Sequence, residues 1–264
     1  MSVKSGPPAP DPVDDYRMSI LDHLRELRKR LVVSLWAAGI GIVICFVFAQ
    51  DLFDWLVQPM NLALQARGEG TMAITDPLEG VMTYLKVAVL AGLFTASPVI
   101  FYQAWLFVGP GLYQQEKRLV LPLVLTSTTL FMAGAAFGYF VIFQYGFSFF
   151  LSVVDPAETA AVLSINAYLL TATKLLVAFG ASFQLPVVVF FLARIGLIDA
   201  QDMVGQFRYA IVAIFVVAAI ITPPDPLTQV LMAGPLTLLY GVSIGVAWLF
   251  STKERLPELT SEDP

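Results

Sequence analysis

The chain has 264 residues, 58% hydrophobic and 13% charged, which is about half the charged share of a soluble domain and excludes a water-coated globule. Fifteen basic against 20 acidic residues give a net charge of −5, which argues against nucleic acid, whose phosphates need a basic face. Cys45 and His23 are the only cysteine and histidine, so an internal disulfide, a thiolate or His-rich metal site and most Ser-His or Cys-His chemistry are excluded too.

Residues 1–17, rich in proline and aspartate, read as a disordered tail. Ser19 is a good N-cap, and Ile20, Leu24, Leu27 and Leu31 follow at helical spacing with Asp22, Arg25, Glu26 and Lys29 on the other faces. This predicts an N-terminal amphipathic helix along the membrane interface. Six apolar runs come next, at 31–50, 81–105, 119–147, 167–193, 209–222 and 227–250. A bilayer core of about 30 Å needs about 20 helical residues. The fifth run has only 14, about 21 Å as helix, so it crosses only where the bilayer thins or protein flanks it. Residues 223–226 then make a tight hairpin into the sixth. Residues 51–80 form a first outer loop with a short helix over 52–65, and 148–165 a second. A single six-span membrane domain over 18–250 is expected, closed by a disordered acidic tail at 251–264.

Twelve of the 15 basic residues fall on one side of this topology; the exceptions are Arg67, Lys86 and Lys174. By the positive-inside rule both termini are cytoplasmic. The first run is too long, and begins too far into the chain, for a cleaved signal peptide.

No carboxylate falls within the predicted spans, which argues against an acidic proton relay. Lys86 lies near a span end, where its stem can snorkel to the interface. Lys174 and Gln184, about 80° apart on one helix at 100° per residue, are placed to border a wet groove. The Gly134/Gly138 and Gly241/Gly245 pairs read as close-packing positions. Glu116, beside Lys117 and Arg118 in a cytoplasmic loop, reads by itself as their solvated counter-charge.

Five segments together carry more. His23 to Leu31, Ser97 to Phe107, Leu112-Tyr113 through Glu116 to Leu119, Ala178-Phe179-Gly180 through Phe183, and Thr222-Pro223-Pro224-Asp225 resemble, in order, the signatures of the TatC family, receptor subunits of the twin-arginine protein translocase. The resemblance covers roughly residues 18–250. It implies a concave, glove-shaped bundle of six transmembrane helices with the last two short, no catalytic activity, no cofactor and no metal. It implies a place in the bacterial inner membrane, twin-arginine signal peptides of folded cargo as ligands, single-span TatA and TatB subunits and further TatC copies as partners, and export driven by the proton-motive force. By motif position, Glu26 and Glu116 match the acidic residues that receive the arginine pair, and Gln103 and Phe107 line the same patch. Thr222 and Gln229 match a polar site for partner helices. Arg28, Pro59 and Asp225 match further motif positions. Many relatives carry Glu where this chain has Gln184, so no titration at that position is expected here.

Two other classes are weighed against this. A small-solute permease built around Lys174 and Gln184 predicts inverted repeats, broken helices and intramembrane charge pairs. An intramembrane enzyme needs a nucleophile–base pair or a metal, which a single histidine outside the spans does not supply.

Overall fold

A bilayer offers backbone N–H and C=O groups no water, so each apolar run closes its own hydrogen bonds as a helix. The computed structural model of the chain follows that rule, describing residues 20–66, 72–73, 78–108, 120–153, 164–221 and 226–251. Helix α1 spans Ile20–Val47, α2 Ala49–Ala66 and α3 Glu79–Val108. Helix α4, Val120–Phe137, passes through a π-helical turn at Gly138–Phe143 into α5, Gln144–Val153. The fourth span divides into α6, Ile165–Ser182, and α7, Leu185–Arg194; α8, Ala200–Gly205, leads to α9, Phe207–Ile221, and α10, Pro226–Phe250.

Five of these segments are long and apolar enough to cross a membrane, and α9 is the short one. Of the two closing helices only α9 is short: α10 has 25 residues, about 38 Å. The predicted short outer helix is α2, at 18 residues. Of the expected hairpin at 223–226, residues 223–225 lie outside the described residues and Pro226 opens α10; α9 and α10 do contact each other.

One expectation is corrected. The amphipathic helix and the first span are one continuous 28-residue helix, α1, so its first turns extend the span along its own axis. Its leucines Leu24, Leu27 and Leu31 are exposed, while Glu26, Arg30, Ser34, Ala37 and then buried Gly41 and Cys45 form the line turned toward α3. In a membrane the apolar stripe is free to face outward, because lipid replaces the core it would otherwise need. The fourth span, expected over 167–193, forms one apolar segment, Ile165–Arg194, with a turn at Phe183–Gln184 where α6 gives way to α7. Pro186 lies in the first turn of α7, and its missing N–H and bulky ring end the hydrogen-bond ladder of α6 there.

Close backbone approach at glycines holds the bundle together. A Cβ on Gly92 would lie 2.5 Å from the backbone nitrogen of Ile42, and one on Gly41 2.8 Å from the Gly92 carbonyl oxygen. Between α4 and α6, a Cβ on Gly134 would meet the Phe179 carbonyl at 2.5 Å, and one on Gly180 the Phe131 ring at 2.7 Å. The packing role read for Gly134 therefore holds. Gly241 and Gly245 have nothing within 4 Å.

One end of the bundle collects the start of α1 and the ends of α3, α7 and α10. His23 stacks on Phe107 at 4.4 Å, Trp105 meets Phe191 at 5.4 Å, and Phe190 meets Phe250 at 4.8 Å. Arg25, Arg28, Lys29, Arg30 and Arg194 lie at this end.

Candidate functional site

At this basic end α1 and α3 run antiparallel, and the register set by Gly41 and Gly92 brings the first turns of α1 against the last turn of α3. His23 lies over Phe107 with the rings 22° from parallel. Glu26 follows His23 by three residues and Gln103 precedes Phe107 by four, spacings that share a helix face. Glu26, near the start of α1, and Gln103 and Phe107, near the end of α3, therefore lie at the same end of the bundle, where the observed contact between the two helices is His23 on Phe107. Glu116, the fourth residue assigned to the peptide patch, lies outside the described residues.

Glu26 is not solvated alone. Arg30, one turn on, donates to Glu26 Oε1 from Nε at 3.1 Å and also from Nη2, and the two side chains are 22% and 19% exposed. Both donors converge on one oxygen. Oε2 receives no hydrogen bond among the described residues. A half-buried carboxylate with one bound and one open oxygen is suited to accept a second guanidinium, whose planar fork matches it. Arg30 is the residue that motif reading missed; only its i+4 spacing from Glu26 signals it. Arg25 instead pairs with Asp22 at 3.0 Å, fully in the open, and Arg28 is exposed.

The intramembrane candidates separate. Gln184 donates from Nε2 to the Ser127 carbonyl at 2.9 Å, while Trp105 Nε1 donates to Ser127 Oγ at 2.8 Å. Gln184 thus ties the break between α6 and α7 to α4, and through Ser127 to α3. Lys174 is exposed and without an ion pair among the described residues. The break makes the angle expected for an unbroken helix inapplicable, and neither residue lines a described cavity.

At the far end a carboxylate that sequence reading placed outside the spans proves to be buried. Glu79 opens α3, is 6% exposed, and accepts from the backbone N–H of Asn166 at 2.6 Å and from Ser164 Oγ at 3.1 Å. It therefore holds the N-terminus of α6, where a negative charge is favoured by the helix dipole. Lys86 does not snorkel freely but donates to Asn166 Oδ1.

Pro59, half-buried in α2, has a physical role. It has no N–H to return to the carbonyl four residues back, that of Trp55, and Tyr139 Oη donates to this oxygen at 2.5 Å while its ring stacks on Trp55 at 4.0 Å. Tyr168 Oη donates to the next carbonyl, Leu56, at 2.6 Å. A cavity of about 290 Å³ lies beside this joint, lined by residues including Leu52, Phe94, Met132 and Tyr139. It is apolar and does not reach the Glu26 patch.

In the closing pair of helices, Gln229 Nε2 donates to the Phe215 carbonyl at 3.0 Å, so this residue binds α10 to α9. Thr222 and Asp225 lie outside the described residues. No group of three or more metal-ligating side chains is found among the described residues.

The family described as "Sec-independent protein translocase protein (TatC)" matches residues 22–235. The chain is 46% identical over 246 residues to the TatC protein of Desulforapulum autotrophicum, covering 93% of this chain and 90% of that one. It is 41% identical over 225 residues to TatC of Helicobacter pylori, covering 85% and 87%. Among solved structures it is similar to the twin arginine translocase receptor TatC, with a TM-score of 0.76, 41% identity, and coverage of 85% of this chain and 97% of that one. A second crystal structure of that receptor, in detergent, gives a TM-score of 0.78 at the same identity.

Proposed function

Because the chain belongs to the TatC family, whose members are protein-translocase components and not enzymes, we propose that it is the receptor that binds twin-arginine signal peptides at the cytoplasmic face of a bacterial inner membrane. It works there with TatA- and TatB-type single-span partners, and the proton-motive force drives export. The observation that carries this reading is the half-buried Glu26 carboxylate at the end of the bundle where His23 stacks on Phe107, with Oε1 engaged by Arg30 and no hydrogen bond to Oε2 among the described residues. The basic residues gathered at the same end support its cytoplasmic orientation.

Two carboxylates, Glu26 from α1 and Glu116 from the cytoplasmic segment that follows α3, read two adjacent arginines. Each accepts from a guanidinium whose charge is fixed at any working pH. A water-exposed ion pair contributes only about 0.2–1 kcal/mol, so Phe107 and neighbouring apolar groups supply further affinity to the peptide. Thr222 and Gln229 serve a partner helix, whose polar side chain finds no hydrogen bond in lipid.

The test is binding of a fluorescent twin-arginine peptide to the full chain in detergent or nanodiscs. Glu116→Gln is expected to weaken binding, Glu116→Lys more so, and replacement of the peptide's two arginines by lysines to weaken it against the wild type. Unchanged binding to correctly inserted Glu116→Lys overturns the assignment.

A further inference from the structure

Lys174 is a cation inside a span that the rest of the chain leaves alone. It stands nine residues into α6, which begins at Ile165, and is exposed with no hydrogen bond or ion pair among the described residues. Lys86, by contrast, is engaged at the far end of the bundle by Asn166 Oδ1. Lys174 lies eight residues beyond Asn166, about 12 Å deeper along the helix. The apolar segment Ile165–Arg194 has 30 residues, about 45 Å as helix against a hydrocarbon core of about 30 Å. With the excess shared between its two ends, the backbone at Lys174 lies about 6 Å inside the hydrocarbon. An ionisable side chain at such a depth is costly and calls for an opposite charge.

The direction of the side chain decides where that charge comes from. Helix α6 is unbroken from Ile165 to Ser182, so 100° per residue applies along it. Leu169, Ala172, Leu176 and Phe179 are buried in the core, and Lys174 points about 140–160° around the helix from each of them. Ala167 and Ala181, both exposed, share its direction to within about 20° and lie two turns to either side of it. The lysine is thus centred on an outward stripe, and the small residues flanking it let a second helix backbone approach closely. A second copy of this chain does not bring the missing charge on a spanning helix, because its six apolar runs contain no aspartate or glutamate.

We propose that the outward face of α6 docks a membrane-spanning helix of a different protein, one that carries an aspartate or glutamate opposite Lys174. The depth of the lysine places that carboxylate about four residues inside the far-end boundary of the partner's apolar run. The pair cancels two charges that lipid solvates poorly, and the alanines provide the close contact around it. The proposal uses neither Glu26 nor the Thr222 and Gln229 site, so it stands or falls independently of both.

The probe is a synthetic membrane-spanning peptide of leucine and alanine with one glutamate four residues inside its apolar run and a photo-leucine beside it; its twin carries glutamine instead. Each is incorporated with the full-length protein into phosphatidylcholine nanodiscs at alkaline pH, which keeps the peptide carboxylate ionised, and irradiated. The glutamate peptide is expected to label residues 167–181 about fivefold more than its twin. Lys174→Gln, at an exposed position, is expected to abolish that difference, and Lys174→Glu to restore labelling with a peptide carrying lysine in place of glutamate. The comparison of twins on the wild-type protein needs no variant to fold. Equal labelling by the twins, the result if Lys174 only reaches lipid phosphate, overturns the proposal. So does a difference that persists in Lys174→Gln, or adducts of the glutamate peptide spread evenly over α1 and α9.

Discussion

Replacing Tyr139 by phenylalanine removes one oxygen and keeps the ring that stacks on Trp55 at 4.0 Å. The lost hydroxyl donates at 2.5 Å to the Trp55 carbonyl, an oxygen denied its helical partner because residue 59 is proline. A buried acceptor left without a donor costs about 1–3 kcal/mol. This bond is only part-buried, so the lower half of that range, about 1–2 kcal/mol, is expected. In a Pro59→Ala background the alanine N–H is available to the same carbonyl, and Tyr139→Phe is then expected to cost less than about 0.5 kcal/mol. The coupling between the two changes, about 1 kcal/mol, falls within the range measured for residues sharing a hydrogen-bond network. The assay is unfolding of the four proteins of this cycle in mixed micelles by titrated denaturing detergent, followed by far-ultraviolet circular dichroism. Equal losses for Tyr139→Phe in both backgrounds would refute the account of Pro59 as the residue that frees the Trp55 carbonyl.

Gly92→Val inserts a branched side chain where even a Cβ would stand 2.5 Å from the Ile42 nitrogen; a loss of about 1–3 kcal/mol or more is expected from overpacking, read as a lower thermal midpoint, whereas Gly241→Val, in open space, leaves it unchanged. Arg30→Gln is expected to tighten peptide binding about twofold to fivefold by releasing Glu26 Oε1 from its intrahelical partner, and Glu26→Gln to weaken it; tryptophan-free peptide titrations by anisotropy distinguish the two directions. Thr222→Leu combined with Gln229→Leu should reduce co-purification of single-span partners while sparing peptide binding. Unchanged co-purification places the docking site elsewhere.

The order of the apolar helices was legible in the amino-acid sequence because crossing a bilayer is a one-dimensional requirement. About 20 apolar residues must be contiguous, and any window along the chain reports whether they are. The short α9 was visible for that reason, and the motifs named Glu26, Gln103 and Phe107, which lie at one end of the bundle. Which side of each helix faces protein was not legible. In water an apolar stripe marks the core, but lipid solvates Leu24, Leu27 and Leu31 as well as a protein interior does, and it is the polar line of Glu26 and Arg30 that turns inward. Facing is decided instead by shape and by unmet hydrogen bonds: the Gly41–Gly92 approach, Tyr139 and Tyr168 on the carbonyls around Pro59, Glu79 at the head of α6, and Gln184 on Ser127. Each of these joins residues about 50 to 110 positions apart, as the separations of 84, 112, 87 and 57 for the four hydrogen bonds show. No local pattern carries such a pairing, because the partner that satisfies a buried polar group exists only once the helices have come together.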